Sequence, residues 1–231
     1  MLVLAIAGSV HWWLQRDRHT YLPGVTAEFV AIFPAPPAAD SAATRAELDD
    51  LLALQAKRTD AEVSAARRDR KTEVERFYGA LGFAAGAEPD LPLLLGLAER
   101  VEDDIRPYVR AAKDRFRRLR PYEIEERMEP CIDNVRGDLS YPSGHASFGY
   151  VMAYLLKELV PERAAELMAR ADEFARQRMV CGVHFQSDLE AGRRGAQRLV
   201  SMLDADPRYR DDANAAMAEL RAALHLPPRT L

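Results

Sequence analysis

The feature that most constrains this chain is a 3.6-residue apolar period that recurs from about residue 41 to the C-terminus, with no convincing period-2 segment to compete with it. Val74, Phe77, Tyr78 and Leu81 fall at i, i+3, i+4 and i+7. Leu94, Leu97, Val101 and Ile105 repeat the pattern after Pro89 and Pro92, and Pro107 is expected to kink or break that helix. Phe148, Val151, Met152, Leu155 and Leu159 form a stripe stopped by Pro161. Leu167, Met168, Ala171 and Phe174 form another, followed by Ala196, Leu199, Val200 and Leu203, and by Ala213, Met217, Leu220 and Leu224. No internal repeat is visible. This pattern predicts an all-α fold, a single-domain helical bundle over 41–231. Residues 1–40 read as a leader. Pro23, Gly24, Pro34, Pro36 and Pro37 make its second half extended, and Asp40-Ser41 can cap the first helix of the domain.

A chain of 231 residues is long enough for one well-formed core. Apolar residues make up 48% and charged residues 29%, which excludes wholesale disorder. The net charge of −4 gives no bulk attraction to nucleic acid. Mean hydropathy is −0.28, and no run approaches the ~20 apolar residues of a membrane span. The apolar run Leu2 to Ala7 is too short to span and has no basic residue before it, yet Ala5-Ile6-Ala7 has the small-x-small form of a signal cleavage site. Two readings stand: the tail of an export signal whose start is missing, or an N-terminal arm in which Trp12 and Trp13 pack against something. Cys131 and Cys181 are the only cysteines. In the cytosol they would be free buried thiols; in an oxidising compartment they would pair. Their spacing fits no zinc pattern, and no metal site is expected.

Loops are expected at about 82–92, 121–144 and 180–187, and the middle one is long for a helical domain. Three polar clusters lie at or beside the last two. In the first, Lys113 to Pro121, Lys113 and Arg120 are seven apart, so they share one helix face about two turns apart, and Pro121 ends the helix with Arg120 at its mouth. In the second, Pro142-Ser143-Gly144-His145, a Ser-Gly turn opens the Phe148 helix. Its free N–H groups and the helix dipole favour an anion, and Gly144 allows close approach. In the third, Arg178-x5-His184-x3-Asp188, the carboxylate can fix the tautomer of His184 and direct its other nitrogen outward. Taken singly, each has a plainer reading: a solvated basic face, an N-cap with a surface histidine, a structural histidine. Taken together, three cations, a helix N-terminus, an oriented histidine and a second histidine suit a tetrahedral oxyanion with a nucleophile on one side and an acid on the other.

In order and spacing, the three motifs resemble the signature of the type 2 phosphatidic acid phosphatase superfamily, which includes bacterial non-specific acid phosphatases and vanadium haloperoxidases. The closer resemblance is to class A bacterial non-specific acid phosphatases. It runs continuously from about residue 91 to 205 and is looser before that. Tyr21-Leu22-Pro23, Ser140-Tyr141 and Cys181-Gly182-Val183-His184-Phe185-Gln186-Ser187-Asp188 add to it. Gln177 departs from the pattern, standing where the family has Ser before the third-motif Arg.

The resemblance implies a metal-independent phosphomonoesterase without a cofactor, of broad substrate range, exported to the periplasm. Lys113, Arg120 and Arg178 would hold the phosphate oxygens, with Ser143 and the Gly144 N–H. His184 would attack phosphorus and become a phosphohistidine, Asp188 would orient it, and His145 would protonate the leaving alcohol and then activate water. Vanadate, tungstate and molybdate would inhibit as oxyanion mimics, and homo-oligomers are common in the family. In an exported protein Cys131 and Cys181 would form a disulfide. Three rival readings remain: vanadate-dependent halide oxidation in the same pocket, a membrane lipid phosphatase (disfavoured by the lack of a span), and a non-enzymatic helical module binding nucleic acid through 106–120.

Overall fold

The computed structural model describes residues 20–86, 89–132 and 137–231, and among these it contains helices and no strand. Trp12, Trp13 and the Ala5-Ile6-Ala7 segment lie outside the described residues. In chain order the α-helices are α1 (Ala27–Ala31), α2 (Ala42–Lys57), α3 (Asp60–Arg68), α4 (Tyr78–Leu81), α5 (Pro92–Phe116), α6 (Pro121–Ile124), α7 (Gly144–Leu159), α8 (Ala164–Val180), α9 (Gln186–Leu203) and α10 (Pro207–Ala223).

The apolar period sets the hierarchy. Helix α7 carries apolar or small residues on every side, and 12 of its 16 residues are buried. A helix that is apolar all round belongs at the centre. Helices α8 and α9 form its main walls, and α5 and α10 also pack on it. At Gly192 of α9, a side chain would place its Cβ 2.8 Å from Ala146 Cβ and 2.9 Å from the Ser143 carbonyl oxygen, so only glycine lets α9 press against the start of α7.

Several boundaries differ from the sequence expectation. The leader is not wholly extended. It includes α1, capped by Thr26, and its Tyr21, Leu22, Phe29 and Phe33 are buried in the main core. Among the interactions that dock it, buried Asp104 accepts the Tyr21 N–H at 2.6 Å, the Tyr21 hydroxyl donates to Asp212 at 2.7 Å, and the Tyr141 hydroxyl donates to the Pro34 carbonyl at 2.7 Å. Ser41 caps α2 as expected. The Val74 stripe forms a 3₁₀ turn, Val74–Phe77, before the single turn of α4.

Pro107 does not break its helix, because α5 continues to Phe116. Val101, Ile105, Tyr108 and Ala112 are buried on both sides of the proline, and this packing outweighs the lost backbone hydrogen bond. Conversely, α5 stops short of Pro121. Arg117 turns left-handed at φ 51°, and Pro121 instead opens α6. Lys113 and Arg120 therefore do not share a helix face.

Cys131 and Cys181 form a disulfide. It joins the long loop before α7 to the turn after α8, where Gly182 takes φ +65° and Met128 fills the space a side chain would need. The bridge spans a sequence separation of 50. In the chain-entropy account a loop of that size contributes about 4 kcal/mol. Reduction, or the Cys131→Ser/Cys181→Ser pair, is expected to lower unfolding stability by about 2–4 kcal/mol. Urea titration checks this: an unchanged midpoint would show that the loop is held by its other contacts.

Candidate functional site

The three motifs converge where the N-terminus of α7 meets the end of α8 and the start of α9. Backbone hydrogen bonds tie them together: Ser140 N–H donates to the Arg118 carbonyl at 2.8 Å, and Ser143 N–H donates to the Asp188 carbonyl at 3.0 Å. Ser143 is the N-cap of α7, its hydroxyl accepting the Ala146 N–H at 3.3 Å. Gly144 opens the helix. A Cβ there would touch only Val109, at 3.6 Å, so packing alone does not require glycine at this position.

His184 is fully buried in the turn before α9, and its Nδ1 lies 3.1 Å from Asp188 Oδ2. A carboxylate only accepts, so Nδ1 carries the proton and Nε2 carries the lone pair. Arg120 Nη1 donates to that lone pair at 3.0 Å and to the Val183 carbonyl at 2.9 Å. Asp188 lies in the first turn of α9 and also accepts from the Phe185 N–H at 2.9 Å, Ser140 Oγ at 2.5 Å and Arg118 Nη1 at 2.8 Å. Burial pushes its carboxyl up from the ordinary value, opposed by Arg118 and by the Ser140 and Phe185 hydrogen bonds.

The cations come from three places. Lys113 is on the last turn of α5, Arg120 directly precedes α6, and Arg178 is near the end of α8. Lys113 Nζ is 3.2 Å from Asp138 Oδ1 and donates to the Leu139 carbonyl; Arg120 Nη2 pairs with Asp138 Oδ2. Arg178 is 4% exposed, and its Nε and Nη1 have no hydrogen-bond partner among the described residues. Gln177 is also buried, and its Oε1 likewise lacks a partner, so the residue that departs from the family pattern gives Arg178 no evident anchor. Burial and the nearby Arg120 charge bring Arg178 down to about 9. Burial, then Arg120, also lowers Lys113.

His145 stands on the first turn of α7, stacked on Phe174 with 6.1 Å between ring centroids. Its Nε2 lies 2.7 Å from the Arg70 carbonyl, so Nε2 carries a proton. Burial and then the Arg178 charge bring it down to about 3, while the Arg70 carbonyl works in the opposite direction. His184 is held well below the ordinary histidine value by burial first, then by Arg120, Lys113 and Arg178.

All eight residues expected at the site are thus brought together. The sequence reading missed Arg118, Asp138, the Glu47 carboxylate and the Arg70 carbonyl. Arg118 is buried, bonds Ser187 Oγ at 2.7 Å and Glu47 at 2.7 Å besides Asp188, and lies 3.8 Å over the Phe185 ring. Lys113, Arg118 and Arg120 all turn inward, so the plainer reading of this run as a solvated basic face does not hold for them. The one sequence hint was that Arg118 and Arg120 flank the exposed Leu119, so the run is not simply polar.

Residues 93–194 match the PAP2 superfamily. The chain is 34% identical over 154 residues to an acid phosphatase of Zymomonas mobilis, covering 62% of this chain and 58% of that protein. It is 32% identical over 147 residues to a non-specific acid phosphatase of Providencia stuartii, covering 62% and 59%. A stretch of 86 residues is 43% identical to a non-specific acid phosphatase of Salmonella typhimurium, covering 36% and 34%. The matched stretch therefore spans under two thirds of each relative. In fold, the chain is similar to a transmembrane PAP2 type phosphatidylglycerolphosphate phosphatase from Bacillus subtilis (TM-score 0.51, 18% identity, covering 77% of this chain and 89% of that one). It is also similar to a bacterial vanadium-dependent iodoperoxidase (TM-score 0.59, 18% identity, 79% and 54%). No described helix is long and apolar enough to cross a membrane. In sequence, residues 93–194 are thus similar to the PAP2 superfamily.

Proposed function

We propose that this protein is an acid phosphatase that hydrolyses phosphate monoesters through a phosphohistidine, with no metal. The observation that carries the reading is His184. Its proton is fixed toward a buried carboxylate and its Nε2 lone pair faces Arg120, beside Lys113 and Arg178. Arg178, buried with two unpartnered donors, suits an oxyanion. Three cations and the N–H groups at the start of α7 can spread the equatorial charge of a five-coordinate phosphorus without a divalent ion.

In this mechanism Nε2 of His184 bonds to phosphorus as the bond to the alcohol oxygen breaks. The negative phosphate offsets the cations that bring His145 down, so the ring takes up a proton with substrate; it gives that proton to the alcohol oxygen, then takes one from the water that attacks the phosphohistidine, and His184 leaves as the neutral imidazole. Asp188 keeps Nδ1 protonated and stabilises the positive charge the ring acquires. The disulfide favours an exported protein, since such bonds persist in oxidising compartments.

The test is p-nitrophenyl phosphate hydrolysis by wild type and His184→Ala, with and without a chelator and with vanadate. The variant is expected to lose several orders of magnitude in rate. A chelator should change nothing, and vanadate should compete with substrate. Retention of more than a few per cent of activity by His184→Ala would remove the nucleophile. Silencing by the chelator would remove the metal-free mechanism.

His145→Ala is expected to depend on the leaving group. General acid catalysis contributes on the order of 10²–10⁴-fold. The loss should be near that size for an alkyl phosphate and much smaller for p-nitrophenyl phosphate. Equal losses on both would dismiss His145 as the acid.

The pH dependence follows from the direction of the His184 shift. A histidine held well below 6.5 stays neutral as the pH falls through 6.5, and loses its lone pair only at more acid pH. The acid limb of kcat/KM is therefore expected clearly below 6.5. Imidazole NMR titration should show the same for His184; titration at or above 6.5 would contradict it.

A further inference from the structure

Asp138 places one carboxylate across two of the cations assigned to phosphate. Oδ1 is 3.2 Å from Lys113 Nζ, and Oδ2 pairs with Arg120 Nη2. The backbone reinforces the contact, since Arg120 Nε donates to the Asp138 carbonyl at 3.1 Å and Lys113 Nζ to the Leu139 carbonyl. Burial pushes the Asp138 carboxyl up, but Arg120 and Lys113 outweigh it and hold it below the ordinary value. The side chain is still 47% exposed. It lines a cleft of about 570 Å³ together with Lys113, Gly144 and Phe148. The carboxylate itself is held by its two ion pairs, while the carbonyl holds the backbone, so the side chain can leave Lys113 and Arg120 without moving the segment.

A carboxylate and the oxygens of a phosphate monoester are acceptor-only anions that compete for the same guanidinium and ammonium donors. We propose that Asp138 is a built-in competitor for phosphate: the incoming phosphate displaces its carboxylate from Lys113 and Arg120, and the carboxylate returns as inorganic phosphate leaves. Arg120 links this exchange to the nucleophile. In the structure it is occupied on every side, by Asp138, by the Val183 carbonyl and by the Nε2 lone pair of His184. Release from Asp138 lets its donors turn to phosphate and uncovers Nε2. Asp138 is thus a positioning residue, acting through Lys113 and Arg120, and it sets how tightly the site retains its product.

The inference rests on Lys113 and Arg120 being phosphate ligands, and the experiment separates the two ideas. Inorganic phosphate binding is measured by calorimetry on the folded full chain for wild type, Asp138→Asn, Asp138→Ala and Arg120→Ala. Both Asp138 variants are expected to bind phosphate about tenfold more tightly than wild type, the scale of two part-exposed ion pairs no longer opposing the ligand. Damage to a purely structural residue would not tighten binding. Binding by either Asp138 variant that is no tighter than wild type overturns the competitor role, even if Arg120→Ala loses phosphate as expected. Phosphate binding by Arg120→Ala as tight as wild type would overturn the ligand reading itself.

Discussion

The candidate site is organised around one buried carboxylate. Asp188 accepts from Arg118, Ser140, His184 and the Phe185 N–H, and its own carbonyl accepts the Ser143 N–H. These partners come from the segment after α5, the loop before α7, the turn before α9 and the N-cap of α7. A buried charge without partners would cost several kcal/mol, so this cluster is stable only when all its members are in place. That requirement fixes the tautomer of His184 and the register of the three motifs with the same set of bonds. Arg118 has the largest share of this work among residues that do not face the cations, since it also carries Glu47 of α2 and covers Phe185.

The cations obey the opposite logic. Arg120 lies close enough to Lys113 and Arg178 to depress both, and the three charges together depress both histidines. Such an arrangement adds nothing to the stability of the fold. It is tolerated because the surrounding helices are well packed, and in the proposed reaction it would hold His184 neutral in acid.

How much of this could be read beforehand followed from which features are local. Stripes at 3.6-residue spacing marked the long helices correctly, because burial of one face is a sequence-periodic property. Lys113, Arg120, Ser143, His145, Arg178, His184 and Asp188 are legible only as a set: each motif alone has a plainer reading, and it is their joint order and spacing that resemble a family signature. Pro107 does not break its helix, since tertiary packing on both sides holds a helix that local rules would interrupt. The end of α5 was misread for a similar reason: Arg117 adopts a left-handed turn that no glycine announces. Arg118, Asp138 and the Arg70 carbonyl were invisible because their partners lie 70, 25 and 75 residues away. A basic run gives no sign of which members turn inward.

Helix α7 is at once the centre of the core and the element that presents Ser143, Gly144 and His145. In most enzymes variation is absorbed by loops while the scaffold stays fixed. Here a change of volume at Val151 or Leu155 would move the helix as a rigid rod and carry the site residues with it, because close-packed interiors transmit strain. A substitution that changes what this site accepts at no cost to the core would therefore fall outside α7, and one behind His145 would need compensating changes in α8 and α9.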